Sequence, residues 1–194
     1  MSTRAMQPRL DRSPDVEQAA QRLMRPRARA ALTAKRGADF LLAFLMLVAV
    51  TPLLLVALLL LAFAGDGLLE QRTRLGRHGR PVVLTRFREL PGGAFGRMLE
   101  HIGARELPLL FAVLRGRLSF VGPSFVAPGT GSGHTGPRRL MAPGLTGPAQ
   151  RGCGEGSDGE LDDAYVTRWT LWNDARMLAG RCPKLHHSVS NSNS

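Results

Sequence analysis

The sequence predicts a mainly helical protein with small β content, in which a membrane helix hairpin carries a small, loop-rich domain. Three observations lead to this fold class. The block from Phe40 to Ala64 carries no charge and is interrupted only by Thr51-Pro52. Arginine-rich segments flank this block on both sides. The remainder is rich in Gly (22 in the chain) and Pro (13), which favour turns.

The apolar block is long enough to cross a bilayer. A helix rises about 1.5 Å per residue, so the block exceeds the ~30 Å hydrocarbon core. A secretory signal peptide is disfavoured because its apolar core usually has only ~7 to 15 residues. A buried helix of a soluble domain is disfavoured because the block is apolar on every face. A simple span and a re-entrant hairpin remain.

Thr51-Pro52, near the middle of the block, favours the hairpin. Proline removes a backbone donor and kinks or breaks a helix, and the Thr51 hydroxyl can satisfy a freed carbonyl. Both flanks are basic, so the positive-inside rule places both ends of the block on the cytoplasmic side. The soluble part is therefore expected at the cytoplasmic face of the membrane.

Changes in composition, together with the positions of glycine and proline, divide the chain into four parts. These are a basic arm (1–34), the membrane hairpin (35–65), a cytoplasmic domain (66–180) and a flexible tail (181–194). The arm is expected to be disordered and to lie on anionic lipid, and a nucleic-acid tail is the alternative. The net charge of +11 permits lipid, phosphorylated small molecules or nucleic acid as partners.

Within the domain, a basic loop is expected from Gln71 to Pro81, and Val82–Phe87 is expected to be extended. Residues 95–114 are expected to be mostly helical, and 116–158 mostly loops. A final helix is predicted from Leu161 to Leu178, with Gly180 and Pro183 as its stop signal. Cys153 and Cys182 lack metal-site spacing and do not make a disulfide framework, which indicates a reducing compartment.

Several segments, in order, resemble the bacterial sugar transferases of the monotopic phosphoglycosyl transferase superfamily. KRGAD precedes the apolar block, and Thr51-Pro52 stands where the family has a Ser-Pro break. RFREL matches the family's KFRTM, and RELPLLFAVLRGRLSFVGP matches DELPQLxNVLxGxMSxVGP. APGLTGPAQ resembles KPGITGLAQ, and DDAYVTRWTLWNDARML resembles the closing helix. The resemblance covers roughly residues 35 to 178.

This resemblance implies a re-entrant membrane helix hairpin, amphipathic helices at the interface and a Mg²⁺-dependent active site near the lipid headgroups. Such enzymes begin exopolysaccharide and glycan assembly, so the resemblance implies the bacterial inner (cytoplasmic) membrane, with the soluble domain on its cytoplasmic face. They transfer a phosphosugar from a UDP-sugar to polyprenyl phosphate, through a covalent intermediate on an aspartate. Membrane lipids, polyprenyl phosphate and a nucleotide sugar are thus the implied partners, without nucleic acid. A partner transferase or a homo-oligomer is left open.

Arg86 and Arg88 occupy the family's basic KFR positions and are the candidate phosphate-binding residues, because guanidinium pairs with phosphate in a bidentate fork. A basic strip facing lipid is the alternative reading. The family's Asp-Glu pair, which supplies the nucleophile, reads Arg105-Glu106 here. Arginine is always protonated and offers no lone pair, so Glu106 is the remaining candidate for catalysis and for binding Mg²⁺.

Other polar positions of the family motif also differ. Leu109 replaces a Gln, Ala112 an Asn, and Ser124 the Arg of the PRP motif. Three accounts compete: a transferase with Glu106 as a shifted nucleophile, a catalytically dead relative that acts as a membrane-bound accessory or binding protein of polysaccharide assembly, and an unrelated nucleic-acid binder. The acidic cluster at 158–163 contributes helix-start charges, although one member could hold Mg²⁺.

Overall fold

The computed structural model describes residues 13–64, 69–87, 97, 104–129, 135–154 and 156–182. In the described residues, helices and two strand pairs pack around one core. The helices are α1 (Pro14–Met24), α2 (Pro26–Ala64), α3 (Leu109–Leu114), α4 (Asp158–Thr167) and α5 (Leu171–Leu178). The strands are β1 (Leu69–Leu75), β2 (Pro81–Phe87), β3 (Ser119–Val121) and β4 (Gly144–Thr146).

Helix α2 dominates the fold and contains the whole apolar block. In the described part of the chain it is the one helix long and apolar enough to cross a membrane. It continues through Pro52, so two separate half-length helices are not seen. The Thr51 hydroxyl donates to the Leu47 carbonyl at 2.7 Å, one residue before the Val48 carbonyl that Pro52 leaves without its usual donor.

One face of α2 packs against the domain along much of its length. Ala43 is fully buried, and Leu47, Val50, Leu54 and Leu58 are partly buried against the same core. The spacing of three and four residues places these side chains on one helix face. The opposite face stays apolar and exposed, as at Phe44, Leu45, Val48, Leu55 and Leu59.

The basic arm contains more helix than the sequence predicts. Residues 1–12 lie outside the described part, but α1 and the first turns of α2 occupy most of the remainder. Pro14 suits a first helical turn, and Asp15 and Glu17 favour the positive end of the helix dipole. Val16 and Ala19 are buried, so α1 is held by packing as well as by its charges.

The two strand pairs differ in direction. β1 and β2 are antiparallel, with Glu70 opposite Arg86 and Leu75 opposite Pro81. The predicted extended stretch Val82–Phe87 is therefore confirmed, whereas the expected basic loop before it is largely strand β1. Strands β3 and β4 are parallel, with Ser119 opposite Gly144 and Val121 opposite Thr146, within a region that is otherwise loops and short 3₁₀ turns.

The closing helix is two helices rather than the predicted single one. α4 ends at Thr167, and α5 begins after Thr170, whose hydroxyl accepts from the Asn173 N–H at 3.2 Å. This cap satisfies a donor that a new helix would otherwise leave open. Gly180 follows α5 with a φ of 78°, as the predicted stop signal requires.

Candidate functional site

The β1–β2 hairpin places a carboxylate beside arginines at its open end. Glu70 and Arg86 face each other across the strands. Arg72 is two residues along β1, on the same face as Glu70, and its Nε lies 2.6 Å from Glu70 Oε1. This hydrogen bond is the main cause that lowers the pKa of Glu70. The Glu70 carboxylate is therefore ionised and already partnered.

A short 3₁₀ turn, Ala104–Glu106, brings two more charged side chains to this end. Arg105 donates through Nε to the Phe87 carbonyl at 3.1 Å, and its Nη2 lies 3.5 Å from Glu70 Oε2. Glu106 Oε1 lies 3.5 Å from Arg86 Nη2. We call Glu70, Arg72, Arg86, Arg105 and Glu106 the hairpin cluster.

The hairpin cluster brings together some of the predicted site residues. Arg86 and Glu106 contact each other, and their candidate roles remain predictions. Arg88 lies outside the described residues. Glu70 was missed, because the sequence places it at the edge of a basic loop and nothing local indicates that it faces Arg105. The antiparallel register sets Glu70 opposite Arg86, and the 3₁₀ turn brings Arg105 to the same carboxylate.

The donor set of the hairpin cluster does not suit a resident Mg²⁺. In the described parts of the chain, no three His, Cys, Asp or Glu residues come together. The two carboxylates of the cluster each contact a guanidinium, which repels a cation. Of the acidic cluster, Asp162 and Asp163 accept backbone N–H groups from Ser124 and Arg138. Glu160 completes a capping box with Ser157.

Two of the motif positions that differ from the family pattern, Leu109 and Ser124, make contacts that do not need the polar group of the family residue. Leu109 is 1% exposed and belongs to the core, so an apolar contact replaces a polar group. Ser124 donates its backbone N–H to Asp162 Oδ2 at 2.7 Å. The Ser124 hydroxyl and Asp162 Oδ1 are buried, and neither makes a hydrogen bond with the described residues. Burial raises the pKa of Asp162 from 3.8 to about 6, against the opposing effect of the Ser124 N–H.

A second polar group joins α2 to the last helix. Lys35 Nζ lies 2.6 Å from Asp174 Oδ2 and 3.8 Å from Asp39 Oδ2, and it donates to the Val121 carbonyl at 2.9 Å. The Ser119 hydroxyl donates to Asp39 at 2.7 Å. We call Lys35, Asp39 and Asp174 the buried triad, since each is less than one-tenth exposed.

Neutral donors complete the buried triad. Trp169 Nε1 donates to Asp174 at 3.1 Å, the Tyr165 hydroxyl donates to its other oxygen, and the Phe120 N–H donates to Asp39 at 3.3 Å. Burial, with the nearby Asp174 charge, raises the pKa of Tyr165, which therefore stays protonated as a donor. Lys35 and Asp39 are one helical turn apart, but Asp174 lies far along the sequence, so no local pattern predicts the triad.

The cysteines differ from the sequence expectation. Cys153 and Cys182 form a disulfide, with Cα atoms 5.2 Å apart. Gly180 turns the chain back after α5, and this turn brings Cys182 to the loop of Cys153. Sequence separation alone could not indicate the pairing.

Comparison with known proteins identifies relatives of this chain. The sequence model described as bacterial sugar transferase matches residues 30–187. An undecaprenyl-phosphate glucose phosphotransferase of Komagataeibacter xylinus is 30% identical, over 74% of this chain and 34% of that protein. A UDP-glucose:undecaprenyl-phosphate glucose-1-phosphate transferase of Caulobacter vibrioides is 32% identical, over 78% of this chain and 69% of that protein.

An undecaprenyl-phosphate galactose phosphotransferase of Salmonella typhimurium is 26% identical, over 74% of this chain and 38% of that protein. The chain thus corresponds to about a third of the Komagataeibacter and Salmonella proteins and to two thirds of the Caulobacter one. The match of the family model covers most of the chain, including the apolar helix, both strand pairs and the closing helices. The chain belongs to the bacterial sugar transferase family.

Proposed function

We propose that this chain binds a nucleotide sugar and polyprenyl phosphate at the membrane and that phosphosugar transfer by it is weak or absent. The names of its relatives supply the substrate classes, UDP-glucose and undecaprenyl phosphate. The single observation that carries the reduced activity is Arg105. It occupies the position of the family nucleophile and is ion-paired with Glu70.

The chemistry of the family step explains why Arg105 matters. A carboxylate oxygen would attack the sugar-bearing phosphorus of the donor, and the bond to the departing UMP would break. A guanidinium has no lone pair for this attack. Glu106 is the neighbouring carboxylate, but it contacts Arg86 and would approach the donor from a different angle than the residue before it. Arg86 and Arg105 instead suit the binding of phosphate.

Release of UMP tests the proposed loss of transfer. Purified full-length chain in lipid nanodiscs is incubated with UDP-glucose and undecaprenyl phosphate. We expect saturable binding of UDP-glucose with UMP release near background. Robust release that Glu106→Gln abolishes would show a working transferase with a shifted nucleophile. Absence of both binding and release would remove the proposed function altogether.

Entry and exit of the apolar block by the same, cytoplasmic face is part of this proposal. Because α2 is continuous through Pro52, the hairpin would be made by a bend at this proline and not by a break between two helices. The support is the buried face of α2: residues on both sides of Pro52, such as Ala43 and Leu58, pack against one domain core. A straight span would place the second half of the block far from a domain on one side of the bilayer. The proposed location of the chain is the inner membrane, where it would take part in exopolysaccharide assembly.

Labelling of single cysteines tests this topology. Cysteines introduced at Leu10 and at Leu185, in a chain without Cys153 and Cys182, are exposed to an impermeant maleimide in spheroplasts. Neither position should react until the cells are opened. Reaction from outside at just one of them would establish a span.

A further inference from the structure

A groove of about 430 Å³ lies between the apolar helix and the domain. Its walls come from α2, from both strands of the hairpin and from α3. The apolar side chains used below are Leu54, Leu58, Val83, Phe87 and Phe111. This volume falls within the roughly 300–1,000 Å³ typical of small-molecule sites.

Helix α2 forms one apolar wall of the groove. Leu54 and Leu58 follow Pro52 in the apolar block and form one wall. Val83 is 44% exposed and Phe111 is 37% exposed, so protein atoms leave much of the opposite wall uncovered. An apolar chain that enters from lipid would cover these side chains and gain packing contacts with them.

Two arginines give the groove positive charge, which favours an anionic ligand. Arg115 and Arg117 both line it. The Arg115 guanidinium lies 5.9 Å from the centre of the Phe111 ring, an arrangement that holds the charge over the apolar wall. In the described portion of the chain, neither arginine lies within ion-pair distance of a carboxylate. An apolar slot with two guanidiniums lacking described counter-ions suits a ligand with one anionic head and one apolar chain.

The groove also borders the hairpin cluster. Phe87 lines the groove, while its carbonyl accepts from Arg105. Leu69 also lines it and immediately precedes Glu70. A headgroup held here would therefore be near the position where the family nucleophile would act.

We propose that this groove binds the acceptor lipid, an isoprenoid monophosphate, with its first isoprene units against Leu54, Leu58 and Val83 and its phosphate on Arg115 and Arg117. The inference rests on the proposed function, which supplies the lipid class. A single chain fits a single slot, whereas a diacyl phospholipid presents two. The rest of the isoprenoid chain would extend into the bilayer beside α2.

The test measures binding of geranylgeranyl phosphate to the full-length chain in nanodiscs of neutral lipid. Val83→Trp fills the groove, and the double variant Arg115→Gln/Arg117→Gln removes its charge. Leu171→Trp and Arg168→Gln, both at exposed positions outside the groove, are the matched controls. We expect each groove variant to weaken binding roughly tenfold or more, as loss of a charge-assisted contact or of the apolar site would, and the controls to bind as the unchanged chain.

Three results would overturn the inference. Equal binding by all variants would place the lipid elsewhere and leave the proposed function intact. Equal competition by phosphatidylglycerol would show a general anionic-lipid site. Absence of binding by the unchanged chain would reject the groove and the acceptor part of the proposed function together. Should Val83→Trp fail to fold, as its melting curve would show, the exposed arginine pair still decides between these outcomes.

Discussion

Arg105 Nη2 lies 3.5 Å from Glu70 Oε2, across the open end of the β1–β2 hairpin. The two side chains are about one-third exposed, at 31% and 32%. Ion pairs of this kind contribute roughly 0–1 kcal/mol. We therefore expect the coupling free energy between Glu70→Gln and Arg105→Gln, measured by denaturant unfolding of the two single variants and the double variant, to stay below about 1 kcal/mol.

A larger coupling would assign the pair a structural role instead of a role in the site. Glu106→Gln with Arg86→Gln provides a matched cycle, because this pair has the same 3.5 Å separation.

Arg105→Asp alone is expected to leave UMP release near background. The new carboxylate would face Glu70 and raise the local negative charge, and Leu109, Ala112 and Ser124 would still lack the polar groups of the family motif. Release is measured with UDP-glucose and undecaprenyl phosphate. Full recovery by this single change would show that Arg105 is the sole defect.

Lys35→Met is expected to lower the free energy of unfolding by about 3–5 kcal/mol, because it removes one partner of a buried ion pair. The methionine keeps most of the apolar stem but leaves the carboxylates of Asp39 and Asp174 buried without their cation. Arg29→Met, at an exposed position of the same helix, should change stability by less than about 0.5 kcal/mol. Equal effects of the two substitutions would refute an energetic role for the buried triad.

Asp162 should make stability depend on pH between about 4 and 6. Its folded-state pKa of about 6 lies above the ordinary 3.8. Above pH 6 the carboxyl is ionised in both states, and its burial opposes folding by roughly 3 kcal/mol. As the pH falls through 6 the folded state takes up the proton, so this opposition is relieved and is absent below 3.8.

The measurement compares unfolding free energies of the unchanged chain and Asp162→Asn at several pH values. The asparagine retains an acceptor for the Ser124 N–H and carries no charge. The unchanged chain should gain stability relative to Asp162→Asn as the pH falls from 7.5 to 4. Parallel curves would contradict the prediction, and Asp158→Asn, an exposed helix-start residue, serves as the control.

Reduction of the Cys153–Cys182 disulfide is expected to destabilise the purified domain by about 3–4 kcal/mol, from the chain-entropy estimate for the 29-residue separation. Melting with and without reductant measures the effect, and a variant with both cysteines changed to serine should be insensitive to reductant.

In cells, a domain in the reducing cytoplasm should have both thiols free to react after acid quenching. Thiols that stay blocked there would argue against the cytoplasmic face.

Local chemistry made several elements predictable. Val82–Phe87 is β-branched and aromatic enough to indicate a strand, and Gly180 marks a helix end by its tolerance of positive φ. The resemblance to the family motifs led to the expectation that Arg86 and Glu106 share a site. The break between α4 and α5 was not predicted, because Thr170 caps a new helix without a proline or glycine to announce it.

Long-range pairings explain most of the remaining differences. The strand register sets Glu70 opposite Arg86, and the turn after α5 brings Cys182 to Cys153. The buried triad requires residues from opposite ends of the domain. None of these relationships leaves a periodic or compositional signal in the sequence.

The buried triad has a consequence for biosynthesis. Lys35 and Asp39 precede the apolar block, whereas Asp174 lies in α5, far along the sequence from the block. During translation the apolar block therefore leaves the ribosome and reaches the bilayer long before the ammonium of Lys35 can meet Asp174. Insertion comes first, and the domain can close onto its anchor only after the segment that carries Asp174 has left the ribosome. A ribosome-bound chain truncated before residue 171 should be membrane-bound yet sensitive to protease.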